Sequence, residues 1–184
     1  MKRLFDAVMS ALALIALSPL LGAVALLVLL DDGRPVIYRQ ARVGKGNELF
    51  MVRKFRTMRK DTSNRAQSEM QGEDCYTRTG RLLRALSLDE LPQLLNILEG
   101  AMSFVGPRPL IPEEEAIRSM RAKAHVFDVL PGLTGWAQVN GRANVTDEKK
   151  VALDAEYLRR QSFWFDIKIL FMTVFQVVRR KDVG

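Results

Sequence analysis

Ala7-Val8-Met9-Ser10-Ala11-Leu12-Ala13-Leu14-Ile15-Ala16-Leu17-Ser18-Pro19-Leu20-Leu21-Gly22-Ala23-Val24-Ala25-Leu26-Leu27-Val28-Leu29-Leu30 runs for 24 residues without a charge. As a straight helix it extends roughly 36 Å, enough to cross the hydrocarbon of a bilayer. The rest of the 184-residue chain is too small to enclose such a helix on every side, so it is not expected to be a core helix. A cleaved signal peptide is not expected either. The run is too long, and no small-x-small cleavage site precedes Asp31. The segment is therefore expected to enter a membrane. Ser18-Pro19 lies near its middle. Pro19 has no N–H and its ring clashes with the carbonyl four residues back, which predicts a kink. Ser18 can return a hydroxyl to a freed carbonyl and ease that break in lipid. Lys2 and Arg3 precede the run, which favours a cytoplasmic N-terminus. Arg34, Arg39, Arg42 and Lys45 follow Asp31 and Asp32. Positive charge thus flanks both ends and does not orient a crossing. A spanning helix with a tolerated proline and a kinked helix that leaves by the face it entered both fit these residues.

Net charge is +7, from 28 Lys+Arg against 21 Asp+Glu. A basic surface suits nucleic acid, anionic lipid or phosphate-bearing substrates. No motif interleaves aromatics with basic residues, so no nucleic-acid partner is expected. Cys75 is the one cysteine, which excludes an internal disulfide and a multi-Cys zinc site. A Ser-His-Asp triad would have to use the one histidine, His125, in a charged stretch. It reads as an ordinary surface or half-buried residue.

Ser87-Leu88-Asp89-Glu90-Leu91-Pro92-Gln93 places two adjacent acids before a short apolar run. Ser87 and Glu90 have the spacing of a capping box, with Asp89 at the positive end of the helix that follows. In a basic, membrane-bound chain the same acids suit phosphoryl chemistry. A carboxylate can attack phosphorus or bind Mg²⁺, and a helix start is favourable for phosphate. Lys54-Phe55-Arg56, with Arg53, Arg59 and Lys60 around it, reads either as a diphosphate or headgroup contact or as a solvated basic edge. Pro107-Arg108-Pro109 reads as a stiff loop that fixes one guanidinium, or as a rigid connector alone. Gly141-Arg142 is a second candidate phosphate contact.

Strands are expected at Pro35–Arg39 and Glu48–Arg53, joined by a turn at Gly44–Asn47. Residues 61–74 read as a polar surface loop or short helix. Arg78–Leu86 is basic and amphipathic. Leu91–Leu98 reads as a helix ending at Gly100, with Pro92 in its first turn. Ser103–Pro109 cannot be a regular helix. Pro112–Glu115 opens a helix whose later cations, Arg118, Arg121 and Lys123, read as structural. Pro131–Trp136 is a turn-rich loop, and Asp147–Gln161 a polar helix. Phe163–Val178 with Arg179, Arg180 and Lys181 reads as an interfacial amphipathic helix or a core helix.

Taken together these segments resemble the bacterial sugar transferase family, the monotopic polyprenyl-phosphate phosphoglycosyl transferases. The matching stretches are Lys2–Asp6, Ser18-Pro19, Pro35–Gln40, Lys54–Met58, Ser87–Gln93, Met102–Pro109 and Pro131–Arg142, in order along nearly the whole chain. The resemblance implies the family's minimal catalytic form. Its fold is a helix-rich α+β unit, residues 31–184, packed as one structural unit on a re-entrant membrane helix, residues 1–30, broken at Ser18 and Pro19. The implied location is monotopic in the bacterial inner membrane, with the active site on the cytoplasmic face. The implied reaction moves a sugar-1-phosphate from a UDP-sugar to a polyprenyl phosphate such as undecaprenyl phosphate, releasing UMP. Asp89 is then the nucleophile and the ligand of a Mg²⁺ cofactor, and Glu90 its partner carboxylate. Lys54, Arg56, Arg108 and Arg142 are then substrate contacts. Two positions depart from the family pattern. Ala101 stands where Asp is common, and Ala143 where Asn is common. Exposed interfacial faces also suit a homodimer. A non-catalytic scaffold of a glycan assembly complex is the alternative function, and the intact acid pair argues against it.

Overall fold

The computed structural model describes residues 2–59, 75–141 and 145–178. The polar segment 61–74, Arg142, Ala143 and the cations 179–181 lie outside these residues. The described chain is helix-rich α+β, with seven α-helices and two small two-stranded sheets.

Helix α1 (Lys2–Asp32) carries the apolar run. Asp6, Ser10, Val24 and Val28 are buried, and Ala13, Leu14, Leu17, Leu21 and Ala25 are packed beside them. Steps of three and four residues place all of them on one stripe. The opposite face is bare, with Leu4, Ile15 and Leu30 more than 70% exposed. Helical structure is not interrupted at Ser18-Pro19. The Ser18 hydroxyl donates to the Ile15 carbonyl at 2.8 Å, the group that Pro19 leaves without its N–H partner. At the start of α1, Lys2 pairs with Asp166 and donates to the Val105 carbonyl. Arg3 donates to the carbonyls of Ile97 and Leu98 at 2.7 and 2.6 Å. At its end, Asp32 pairs with Arg56 at 3.0 Å, and Asp31 accepts from the Thr79 N–H at 2.8 Å. Both ends of a helix roughly 46 Å long are therefore fastened to one folded unit.

Strands β1 (Ile37–Val43) and β2 (Leu49–Phe55) form an antiparallel hairpin in the expected region. β1 starts later and runs further than its local pattern indicates, because Pro35 cannot donate to a ladder. The joining turn is the expected one, with Gly46 and Asn47 left-handed at φ 67 and 64. Helix α2 (Arg78–Ala85) is capped by Thr77, whose hydroxyl accepts from the Gly80 N–H. Helix α3 (Gln93–Glu99) lies between α1 and the hairpin and ends at left-handed Gly100. Its Asn96 takes the place of a strand on β2. The Asn96 amide donates to the Met51 carbonyl at 2.7 Å and its oxygen accepts from the Arg53 N–H at 3.1 Å.

Strands β3 (Ser103–Val105) and β4 (Gly132–Thr134) pair in parallel, inside segments expected to be loops. Three residues are too few to show a period-2 pattern, and their pairing is distant in sequence. Backbone approaches so closely there that a Cβ on Gly132 would lie 2.1 Å from the Gly106 nitrogen. The chain ends in α4 (Glu115–Lys123), α5 (Trp136–Asn140), α6 (Asp147–Arg160) and α7 (Phe163–Val178). One face of α7 belongs to the core, as the second expected reading has it. Phe165 and Ile169 are buried in the core, while Phe163, Trp164, Phe171 and Val174 are exposed. Its outward face is thus largely apolar, with exposed Lys168 among these side chains.

Two stability predictions follow from these bonds. Asn96→Ala leaves two backbone groups of β2 unpaired and is expected to cost roughly 2–4 kcal/mol, read as a lower denaturation midpoint in detergent. Ser18→Ala is expected to cost about 1 kcal/mol, with Ser18→Thr near wild type, read as thermal midpoints in nanodiscs. Equal midpoints for all three would show that Ser18 does not satisfy the Ile15 carbonyl.

Candidate active site

A cavity of about 780 Å³ opens between the end of β2, the end of α2, the loop after β3, and α7. That volume is within the range of small-molecule sites. Asp89 and Glu90 lie on its wall, on a single 3₁₀ turn, Leu88–Glu90. Ser87 is left-handed at φ 55 and makes no side-chain cap, so the capping box is not formed. Instead Ser87 turns the chain sharply after α2 and swings the acid pair into the cavity.

Asp89 is 7% exposed. Burial, reinforced by the charge of Glu90, raises its pKa above the ordinary carboxylate range. Glu90 behaves oppositely. Burial opposes its ionisation, but Arg108 and Lys54 outweigh burial and hold its pKa low. Lys54 Nζ lies 2.6 Å and Arg108 Nη2 3.3 Å from the same oxygen, Glu90 Oε1. One carboxylate thus gathers a cation from the hairpin and a cation from the Pro-Arg-Pro loop beside Asp89.

Arg56 is not brought to this cavity. Strand β2 ends at Phe55, so the alternation that would align Arg56 with Lys54 stops there. Its guanidinium turns to the end of α1, donating to the carbonyls of Asp32 and Gly33 at 2.7 and 2.8 Å. Ser18 and Pro19 also do not line it. His125 is exposed, as one of the two sequence readings has it. Ala101 lies in the tight turn after α3, where its N–H donates to the Asn96 carbonyl at 3.0 Å.

Several site residues were not singled out from sequence. Arg81, Arg84 and Tyr76 line the cavity, with the Arg84 guanidinium 4.8 Å from the Tyr76 ring centre. Their signal was the basic stretch running into the acid pair. Thr134 and Thr173 line the other wall, hydroxyl to hydroxyl at 2.7 Å. Behind the Arg108 loop, buried Arg121 pairs with buried Asp154 at 2.7 Å and donates to the Arg108 carbonyl at 2.6 Å. Burial pushes Asp154 up to about 6, against the pull of Arg121. Arg121 therefore does more than complement its helix dipole: it fixes the loop that carries Arg108.

Among the described residues no group of three His, Cys, Asp or Glu side chains could hold a metal. Mg²⁺ commonly takes one or two carboxylates and completes its shell with water and substrate phosphates. Asp89 supplies the one carboxylate such a set needs, since Glu90 is engaged by Lys54 and Arg108.

The family model for bacterial sugar transferases matches residues 1–180. Curated relatives include an undecaprenyl-phosphate glucose phosphotransferase of Komagataeibacter xylinus, 45% identical over 94% of this chain and 35% of the relative. Another is a UDP-glucose:undecaprenyl-phosphate glucose-1-phosphate transferase of Escherichia coli (strain K12), 43% identical over 96% of this chain and 40% of the relative. The uncharacterized sugar transferase EpsL of Bacillus subtilis (strain 168) is 42% identical over 97% of this chain and 87% of the relative. The chain spans 35% and 40% of the length of the first two. The matched range includes the apolar helix α1, the acid pair and the Pro-Arg-Pro loop, and the chain belongs to the bacterial sugar transferase family.

Proposed function

We propose that this chain transfers a sugar-1-phosphate from a UDP-sugar to a polyprenyl phosphate, with UDP-glucose as the leading donor. The observation that carries this reading is buried Asp89 in a large cavity beside Lys54 and Arg108, the two cations held by Glu90. The names of the relatives supply the substrates to test. A non-catalytic scaffold has no use for a buried carboxylate held beside paired cations.

In this mechanism an Asp89 carboxylate oxygen attacks the β-phosphorus of the donor. The bond from that phosphorus to the oxygen bridging the α-phosphate breaks, and UMP leaves with that oxygen. The sugar phosphate is left on Asp89 as an acyl phosphate. An oxygen of the polyprenyl phosphate then attacks the same phosphorus. The aspartyl–phosphorus bond breaks, which restores the carboxylate and yields a polyprenyl diphosphate sugar. Lys54 and Arg108 offset the charge that two anions bring together. Glu90 is a positioning residue that keeps those cations in reach. Asp89, with water and the donor phosphates, would hold Mg²⁺, whose charge reduces repulsion between carboxylate and diphosphate. Arg142 remains a proposed substrate contact.

The same reading makes the chain monotopic, its cavity on the cytoplasmic face. Polar bonds fasten both ends of α1 to one folded unit, and a packed stripe runs between them. A crossing would drag part of that unit through lipid. The bare outer face of α1 meets hydrocarbon in this arrangement.

Intact mass after mixing the protein with Mg²⁺ and a panel of UDP-sugars, without lipid, is the test. The expected outcome is a gain of one phosphosugar in wild type and none in Asp89→Asn, which also loses at least a thousandfold in turnover, about 4 kcal/mol or more. Turnover of Asp89→Asn near wild type would sink the reading. The raised pKa of Asp89 sets a pH dependence. The nucleophile is ionised above that pKa, so kcat/KM falls as pH drops through it, earlier than for an ordinary aspartate. Glu90→Gln removes a charge that raises Asp89 and is expected to move this acid limb to lower pH. An unmoved limb would show that Glu90 does not act on Asp89.

A further inference from the structure

A second cavity, of about 680 Å³, lies between the first turn of α1 and the first half of α7. Its apolar walls are Phe5, Phe104, Phe163, Trp164, Ile167 and Leu170. Phe104 and Leu170 also line the catalytic cavity, so the two share a wall. Along α7, Phe163, Ile167, Leu170 and Val174 step by four, three and four residues, which puts them on one side of the helix. The first three line the second cavity and the last two the catalytic one. An apolar rail roughly 16 Å long therefore runs from the first turn of α7 to the site of Asp89.

The polar lining decides what this cavity takes. It holds two carboxyl groups, Asp6 and Asp166, against one ammonium, Lys2, and that ammonium is bound to Asp166. A phosphate has no unpaired cation there, whereas hydrocarbon meets aromatic and branched side chains. Trp164 is 78% exposed, and exposed Leu4 and Val8 stand on the same end of α1, so the cavity borders the apolar outer surface.

We propose that this cavity and the α7 rail seat the first isoprene units of the acceptor, while its phosphate reaches Asp89 in the adjoining cavity. The assignment rests on the polyprenyl phosphate acceptor proposed above. The hydrocarbon enters from the lipid along α1 and α7, and the cations of the catalytic cavity hold the head.

The test is photolabelling of the full chain in nanodiscs, with a polyprenyl phosphate carrying a diazirine on an early isoprene unit. Peptide mass mapping is expected to place the label on Lys2–Asp6 and Phe163–Leu170. Excess unlabelled polyprenyl phosphate should compete and phosphatidylglycerol should not. Label elsewhere, no label, or equal competition by phosphatidylglycerol overturns the proposal, the last by making the cavity a general lipid site. Labelling needs no turnover, so an inactive but correctly labelled protein counts against the transferase reading alone. In kinetics, Ile167→Trp is expected to raise KM for the long-chain acceptor about tenfold, the effect of losing burial of roughly two methylenes. Adduct formation with donor alone stays unchanged. Trp164→Ala, at an exposed position, is expected to raise the same KM about threefold. An unchanged KM in both variants, each folded, overturns the proposal.

Discussion

The structure depends on fastening both ends of one apolar helix to a single polar unit. Lys2 and Arg3 hold the start of α1 to β3, α3 and α7. Asp31 and Asp32 hold its end to α2 and Arg56. Between them a stripe from Asp6 to Val28 packs on α3, the hairpin and α2. Charges that by composition alone would be topology signals are here spent on hydrogen bonds. Each meets a charged or backbone partner, which offsets the water that half-buried Lys2 and Asp32 give up.

That fastening also positions the chemistry. α3 is clamped between α1 and β2, and Asn96 bonds the edge of β2. The turn carrying Asp89 and Glu90 directly precedes α3, and Lys54 is near the end of β2. The Lys54–Glu90 pair therefore joins two elements already locked by the same asparagine. On the other side, Arg121 and Asp154 brace the Arg108 loop, and the Val43 N–H donates to the Leu110 carbonyl beyond it. Preorganisation of this kind lets charge stabilisation act without reorganising the site.

The two acids differ for a physical reason. They are neighbours on one turn, yet the cations converge on one oxygen of Glu90. Those cations hold the pKa of Glu90 below its ordinary value, and burial drives that of Asp89, beside it, the other way. Pairs of carboxylates pushed apart in this manner mark a division of roles.

The sequence by itself determined the apolar helix, the hairpin, Gly100 as a helix end, the acid pair and the basic loop at Arg108. Each is a local matter of charge-free length, turn chemistry or adjacent charge. It also placed the serine that satisfies the carbonyl freed by Pro19. Only the tertiary structure decided the rest. Arg56 and Lys54 look alike in sequence, but the end of β2 sends one to α1 and the other to Glu90. The β3–β4 pairing, Asn96 as a substitute strand and the Arg121–Asp154 brace join residues far apart in the chain. No local pattern records such partners, because burial and hydrogen bonding between distant segments are set only when the chain has closed on itself.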